Sequence, residues 1–289
     1  MDINSQVKEI HYVLPNKVAK ITMNSDKINT EYFQHNIDTA NLDSQTILTS
    51  KKKFFINGSS DITHSNLHYT LDLNTYISFE LASMKNGRFN HQIVEFEDLL
   101  IVTGGFNNKE YLSSCEAFDS NTNTWFELPD LNEKRSNHIS FVYKGNVYVF
   151  GGIQGEVKNP ASYVTSLEKL SKDRMKWEVI TLKKEVDSYP VFSNSYLHFT
   201  LNNQDVILIF GDRDNKGERN NNIICLSPET QEIVKTEYKL GNSNWFYRYI
   251  YFTDIQNRHN FLSRNGHLHR FDPNVSKTWE YIREFVSIN

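Results

Sequence analysis

The chain's chemistry-bearing residues begin with two tetrads, Arg88-Phe89-Asn90-His91 and Arg135-Ser136-Asn137-His138. They share the pattern Arg-x-Asn-His and lie 47 residues apart. A guanidinium presents a rigid fork of donors that suits carboxylates and backbone carbonyls. Arg88, His91, Arg135 and His138 are therefore candidates for recognising a partner. They are equally suited to hydrogen-bonding neighbouring backbone inside a repeated fold, and their recurrence favours that internal role.

Residues that do not recur are the better recognition candidates. The polar stretch DRDNKGERNNN (Asp212 to Asn222) gathers Arg213, Lys216 and Arg219, three cations on one loop. Trp245, Tyr247 and Arg248 combine aromatic and cationic character, the composition that interface hot spots favour. The ordinary alternatives are a solvated loop for the first set and a core role for Trp245 and Tyr247.

The remaining chemistry is sparse. His267 and His269 form an H-x-H pair that a strand would place on one face, but neither a Cys nor a carboxylate pattern completes a metal site. His64 and His68 are scattered likewise, so no metal and no cofactor is expected. Cys115 in SSCEAFD and Cys225 in IICLSPE are placed at matching strand positions and read as small buried hydrophobes. There is no G-x-S-x-G, H-E-x-x-H, P-loop or dinucleotide fingerprint. Lys51-Lys52-Lys53 reads as a solvated entrance to a strand. Asn57-Gly58-Ser59 and Asn274-Val275-Ser276 fit the glycosylation pattern incidentally.

What must position these residues is a repeat. Apolar runs ending in Gly recur as FFING (Phe54 to Gly58), IVTGG (Ile101 to Gly105), VFGG (Val149 to Gly152) and LIFGD (Leu208 to Asp212). Gly58, Gly105 and Gly152 are 47 apart, whereas Asp212 follows after 60 because the DRDNKGERNNN insertion lengthens that unit. Each run is followed by a strand-like stretch, an Asp/Asn/Thr-rich turn and an aromatic. Trp125, Trp177 and Trp279 close three units; in the second unit Tyr76 or Phe79 stands in. The runs are short, β-branched and bounded by turn residues, which favours strands over helices.

An Arg and a His early, an apolar strand ending in Gly-Gly, and Trp after a turn together resemble the kelch repeat. That resemblance implies an all-β, six-bladed propeller of four-stranded antiparallel blades. The whole chain, 1–289, forms one domain, with blades at about 8–42, 44–85, 88–131, 135–183, 189–240 and 245–286. KVAKITM (Lys17 to Met23) and NTEYF (Asn29 to Phe33) are expected as the last two strands of the first unit. Glycine at the end of the second strand is expected where backbone passes close or φ is positive, and the Trp residues where neighbouring blades touch. Where Asp212 replaces the second Gly, a local rearrangement is expected.

If the strands alternate in direction, one face collects residues 59–66, 106–111, 153–164, 212–221 and 264–266, together with 84–91, 131–138, 184–190 and 241–247. This loop-rich face is the expected working surface. The resemblance implies a non-catalytic protein-interaction module: a scaffold or assembly subunit, a cytoskeletal component, or a ubiquitin-ligase substrate receptor whose adaptor lies on another chain. Enzymes of oxidase or epimerase type also occur on kelch-like folds, but no local signal for them is present.

Composition agrees. The 289 residues carry 31 basic against 35 acidic side chains, a formal net charge of −4, without the basic excess of a nucleic-acid or membrane-surface binder. Aromatics make up 13%, enough for a large core, which sets aside disorder. Two cysteines rule out a disulfide framework. MDINSQVKEI opens without a basic, then apolar, leader and no apolar run is long enough to span a bilayer. A cytoplasmic protein with protein partners, and without nucleic acid or membrane insertion, is expected.

Overall fold

A computed structural model describes residues 8–13, 17–23, 28–37, 45–59, 65–155, 162–183, 188–189, 196–201, 204–210, 213–214, 223–234, 249–253, 259–263, 267–271 and 280–284. Every regular element among them is a strand.

The strands form consecutive antiparallel sheets, each a meander of sequence neighbours. The first has three strands among the described residues, Lys8–Val13, Lys17–Met23 and Ile28–Gln34. The last two are those expected from KVAKITM and NTEYF. Five four-stranded sheets follow. They run from Gln45–Leu48 to Ser78–Glu80, from Gln92–Phe96 to Thr124–Leu128, and from Ile139–Tyr143 to Trp177–Ile180. The last two run from Tyr196–Leu201 to Glu232–Val234 and from Tyr249–Thr253 to Glu280–Glu284. Two short ribbons, Ile153–Gln154 with Ser162–Tyr163 and Ser188–Tyr189 with Arg213–Asp214, decorate the loop ends.

Period-two alternation explains why the strands are apolar on both faces. In Asn146–Phe150, Val147 and Val149 pack with Val94, Ile101 and Ala117 of the preceding sheet. Tyr148 and Phe150 point the other way, towards Ile207, Ile209 and Leu226 of the following one. The same sharing joins Val18 to Phe54, Ile56 and Leu71, and Phe55 to Leu100 and Phe118. The second, third and fourth sheets thus each supply half of two cores, and such a sheet cannot bury both faces alone.

Trp125 and Trp177 sit at these junctions. Trp125 Nε1 donates to the Ala82 carbonyl at 2.7 Å, and Trp177 Nε1 donates to the Pro129 carbonyl at 3.0 Å. Donors and acceptors move together by about one repeat. In the second unit the register places Ser78 opposite Leu71, the place held by Trp125 opposite Phe118 and by Trp177 opposite Leu170. Tyr76, in the turn, takes over the packing: it is buried and stacks on Phe33 of the preceding sheet at 4.0 Å. Phe79 remains 56% exposed. Trp279 and Asp212 lie outside the described residues.

The register also corrects the placement of the cysteines. Cys115 pairs with Thr103, directly before Gly104, whereas Cys225 pairs with Leu208, two residues earlier in its strand. Cys225 therefore matches Ala117, not Cys115, because the two segments align on strand pairing and not on the turn that follows. Both thiols are buried, and burial pushes each up to about 12.

Candidate functional site

Arg88 and Arg135 lie inside the protein. Each is 0% exposed. Arg88 Nη1 donates to the carbonyls of Gly104 and Ser114, both at 2.7 Å, and Nη2 reaches Ser114 Oγ at 3.1 Å and Glu116 Oε1 at 2.5 Å. Arg135 repeats the set on Gly151, Ser166 and Glu168. Burial lowers the Arg135 pKa, and Glu168 and Glu133 oppose that shift.

The carboxylates are anchored in turn. Glu116 accepts the N–H groups of Lys85 and Asn86, and Glu168 accepts that of Asn132. Each arginine thus ties the strand-end glycine of its own sheet to the segment that leads into it.

The backbone of the same arginines grips the preceding sheet. Arg88 N–H donates to the Ser65 carbonyl and Arg135 N–H to the Leu112 carbonyl, while Gly105 N–H donates to the Arg135 carbonyl at 2.8 Å. Gly104, at φ +55, lies against that carbonyl and the His138 ring. Gly58 has the same relation to Arg88 and His91. Both grounds expected for glycine hold here, positive φ and close approach.

His138 Nε2 meets Thr103 Oγ1 at 2.9 Å, and its pKa is driven well below the ordinary value by burial, with the positive charges nearby adding to the effect. His91 is likewise buried. Arg88, Arg135 and His138 are tied into neighbouring strand ends, and all four tetrad side chains are 0% exposed.

The surface above these ties is different. Phe89 and Phe106 exchange backbone N–H···O bonds at 3.0 and 2.9 Å, and Phe106 bridges on to Tyr111. The three rings cluster, with Phe89 to Phe106 at 5.6 Å and Phe106 to Tyr111 at 5.0 Å between centroids, and all remain partly exposed. One repeat later the same backbone bridge joins Ser136 to Ile153, and Ile153 pairs with Tyr163. The bridge recurs in the fold; among the described residues the aromatic pair on it occurs in one unit.

Around the rings stand exposed Lys109, Glu110 and Lys134. The Lys134 ammonium, bonded to Glu110, holds that carboxyl below its usual range. Sequence reasoning placed the loops 84–91 and 106–111 on this face but did not single out Phe89, Phe106 and Tyr111. Their signal was the break in the repeat at 89 and 106, where the next unit has Ser and Ile.

Of the other candidates, Arg213 lies on the ribbon strand Arg213–Asp214, and its side chain is outside the described residues. Lys216, Arg219, Trp245, Tyr247, Arg248 and His64 also lie outside them. His267 and His269 share the strand His267–Phe271, again without described side chains. Among the described residues no group of three or more His, Cys, Asp or Glu side chains converges as metal ligands would. No described helix is long and apolar enough to cross a membrane.

With buried arginine, strand-end glycine and inter-sheet Trp recurring together, comparison with known families is decisive. The KLHDC2/KLHL20/DRC7 Kelch-repeats domain family matches residues 40–245. The chain belongs to this kelch-repeat family.

Among kelch relatives, it is similar to Kelch-like protein 36 of Rattus norvegicus, 34% identical over 88 residues. That match covers 30% of this chain and 14% of the relative. It is similar to Kelch-like protein 35 of Mus musculus, 26% identical over 195 residues, 57% of this chain and 34% of the relative. The kelch chain therefore spans well under two thirds of the length of these curated relatives. A solved chain described as "Structure of YjhT" superposes with a TM-score of 0.57 at 11% identity, covering 78% of this chain and 82% of that one. It shares the kelch β-propeller fold.

Proposed function

We propose that this chain is a non-catalytic protein-binding module, a six-bladed kelch propeller that engages a protein partner through its loop-rich face. The observation that carries this reading is the repeated backbone bridge bearing Phe89 and Phe106 in one unit and Ser136 and Ile153 in the next. Folding needs the bridge and tolerates Ser and Ile on it, so the half-exposed aromatic pair is free to serve recognition. Phe106 and Tyr111 supply rigid apolar contact area, and Lys109, Glu110 and Lys134 supply a charged rim, the arrangement of an interface hot spot.

On this reading Arg213, Lys216, Arg219, Trp245, Tyr247 and Arg248 extend the same face in the later units. The module acts as a scaffold or assembly subunit in the cytoplasm. Substrate capture for a ubiquitin ligase is the specific form of partner binding that the kelch family suggests.

The test is affinity purification from the native source with mass spectrometry. Wild-type chain is compared with the Phe106→Ser/Tyr111→Ser variant and with the triple charge reversal of Arg213, Lys216 and Arg219. Loss of a reproducible partner set from either variant supports the proposal, and ligase subunits in that set identify the receptor form. Full retention by both variants overturns it.

A further inference from the structure

A second surface lies at the opposite end of the sheets, where the second strand Phe54–Asn57 begins. Between the second and third sheets opens a groove of about 400 Å³ lined by Lys52, Lys53, Phe55, Asp72, Phe79 and Phe118, with Thr70, Asn74 and Ser120 at its polar margin. Its origin lies in sheet geometry. Ile47, Phe55, Thr70 and Phe79 form one cross-strand row, because Ile47 pairs with Phe55, Phe55 with Thr70, and Thr70 with Phe79. The row faces the third sheet.

Phe55 and Phe118, 2% and 1% exposed, meet edge to face at 6.1 Å and form the floor. Thr70 is too small to fill the space between Phe55 and Phe79, and its hydroxyl is turned back to the Phe54 carbonyl. Phe79 is left as an exposed apolar wall. In the next sheet the corresponding row, Val94, Ile101, Ala117 and Phe126, also ends on an exposed phenylalanine, and Trp177 packs against it as Trp125 packs against Phe55 and Phe118.

The charges around the slot are unbalanced. Lys51 is paired with Asp98 at 2.5 Å. Lys52 and Lys53 are exposed, and among the described residues neither ammonium has a carboxylate partner. Asp72, the acid in the lining, accepts the N–H groups of Asn74 and Thr75 at 2.7 and 3.1 Å and so serves its own turn. The lining carries two cations and one committed anion on a chain whose net charge is −4.

We infer that this groove docks an acidic segment of a partner protein, with one aromatic or leucine-sized side chain in the slot over Phe55 and Phe118 and flanking Asp or Glu residues on Lys52 and Lys53. A cavity of this size takes one bulky side chain and its adjoining backbone. Exposed lysines beside it give sign selectivity and a fast, salt-dependent association. This site is independent of the loop-rich face.

A phage-displayed library of random short peptides, selected on the intact chain, tests the inference. The expected peptides place Asp or Glu beside Phe, Trp or Leu. They bind about tenfold more weakly to the Lys52→Glu/Lys53→Glu variant, and they weaken with added salt. They bind the Phe106→Ser/Tyr111→Ser variant unchanged. Phe79→Ser, a change at an exposed position, is expected to weaken them independently, and a thermal melt of each variant verifies its fold. Selected peptides without acidic residues, peptides indifferent to the lysine reversals, peptides lost only with Phe106 and Tyr111, or no enrichment at all would each overturn the site. Only the third of these outcomes favours the loop-rich face.

Discussion

A Cβ placed on Gly104 would come within 2.5 Å of the Arg135 carbonyl oxygen, so one repeat's strand end is fitted to the backbone of the next. Gly104→Ala is expected to cost more than the roughly 1–3 kcal/mol that a left-handed backbone alone imposes on alanine. Gly145 supplies the control: its φ is +68, yet nothing lies within 4 Å of the point a Cβ would occupy there. Urea unfolding of Gly104→Ala and Gly145→Ala should show the first clearly less stable than the second. Equal losses would mean that backbone conformation, and not close approach, fixes glycine at the strand end.

Arg88 and Glu116 are both fully enclosed, so removing one member strands the other. Arg88→Met is expected to cost about 3–5 kcal/mol. Adding Glu116→Gln should restore part of that, since Gln carries no charge and its single oxygen can still accept one of the two N–H groups, of Lys85 or Asn86, that the carboxylate held. A double-mutant cycle measures the coupling. Additive losses would contradict the pairing.

Acid should weaken the fold through its histidines. His68, enclosed by Phe55, Phe118 and Trp125, has its pKa taken down to about 3 by burial, and His138 is also driven far down. Both are neutral when folded and take up a proton near pH 6.5 when unfolded. Their stabilisation is therefore complete above about pH 6.5 and declines as pH falls from there towards 3, by up to about 1.4 kcal/mol per pH unit for each ring. Denaturant titrations across this window should show that slope, and His68→Phe should flatten it.

Replacing Phe106 and Tyr111 by Ser should leave thermal stability nearly unchanged, because the bridge at Ser136 and Ile153 forms without an aromatic pair. A fall in melting temperature comparable to that of a core truncation would reassign the cluster to packing. The measurement is a thermal melt of the double variant beside Trp125→Ala, for which a loss of about 3–5 kcal/mol is expected.

The architecture was readable because a repeat writes its geometry into spacing. Gly105 and Gly152 hold the same place after their strands, Gly58 matches Gly104 one residue earlier, and Trp125 and Trp177 mark the same junction. What escaped was settled by contacts between non-adjacent positions. Glu116 and Glu168 look like ordinary strand carboxylates until the folded chain brings Arg88 and Arg135 to them. Tyr76 and Phe79 were both legible as stand-ins for the missing Trp, and the choice of Tyr76 depends on a turn that carries its ring back to Phe33. Phe89, Phe106 and Tyr111 are scattered in the chain and meet only through the bridge.

The buried Arg–Glu tie also bears on how these units can diverge. One repeat before Arg88 and Glu116 the chain has Asn41 and Tyr69, so that unit has neither charge. A lineage that loses one member first passes through a state with a stranded ion, whereas losing both leaves a neutral, packable seam. Descent of such a propeller should therefore show the two positions changing together, with the intermediate singles rare.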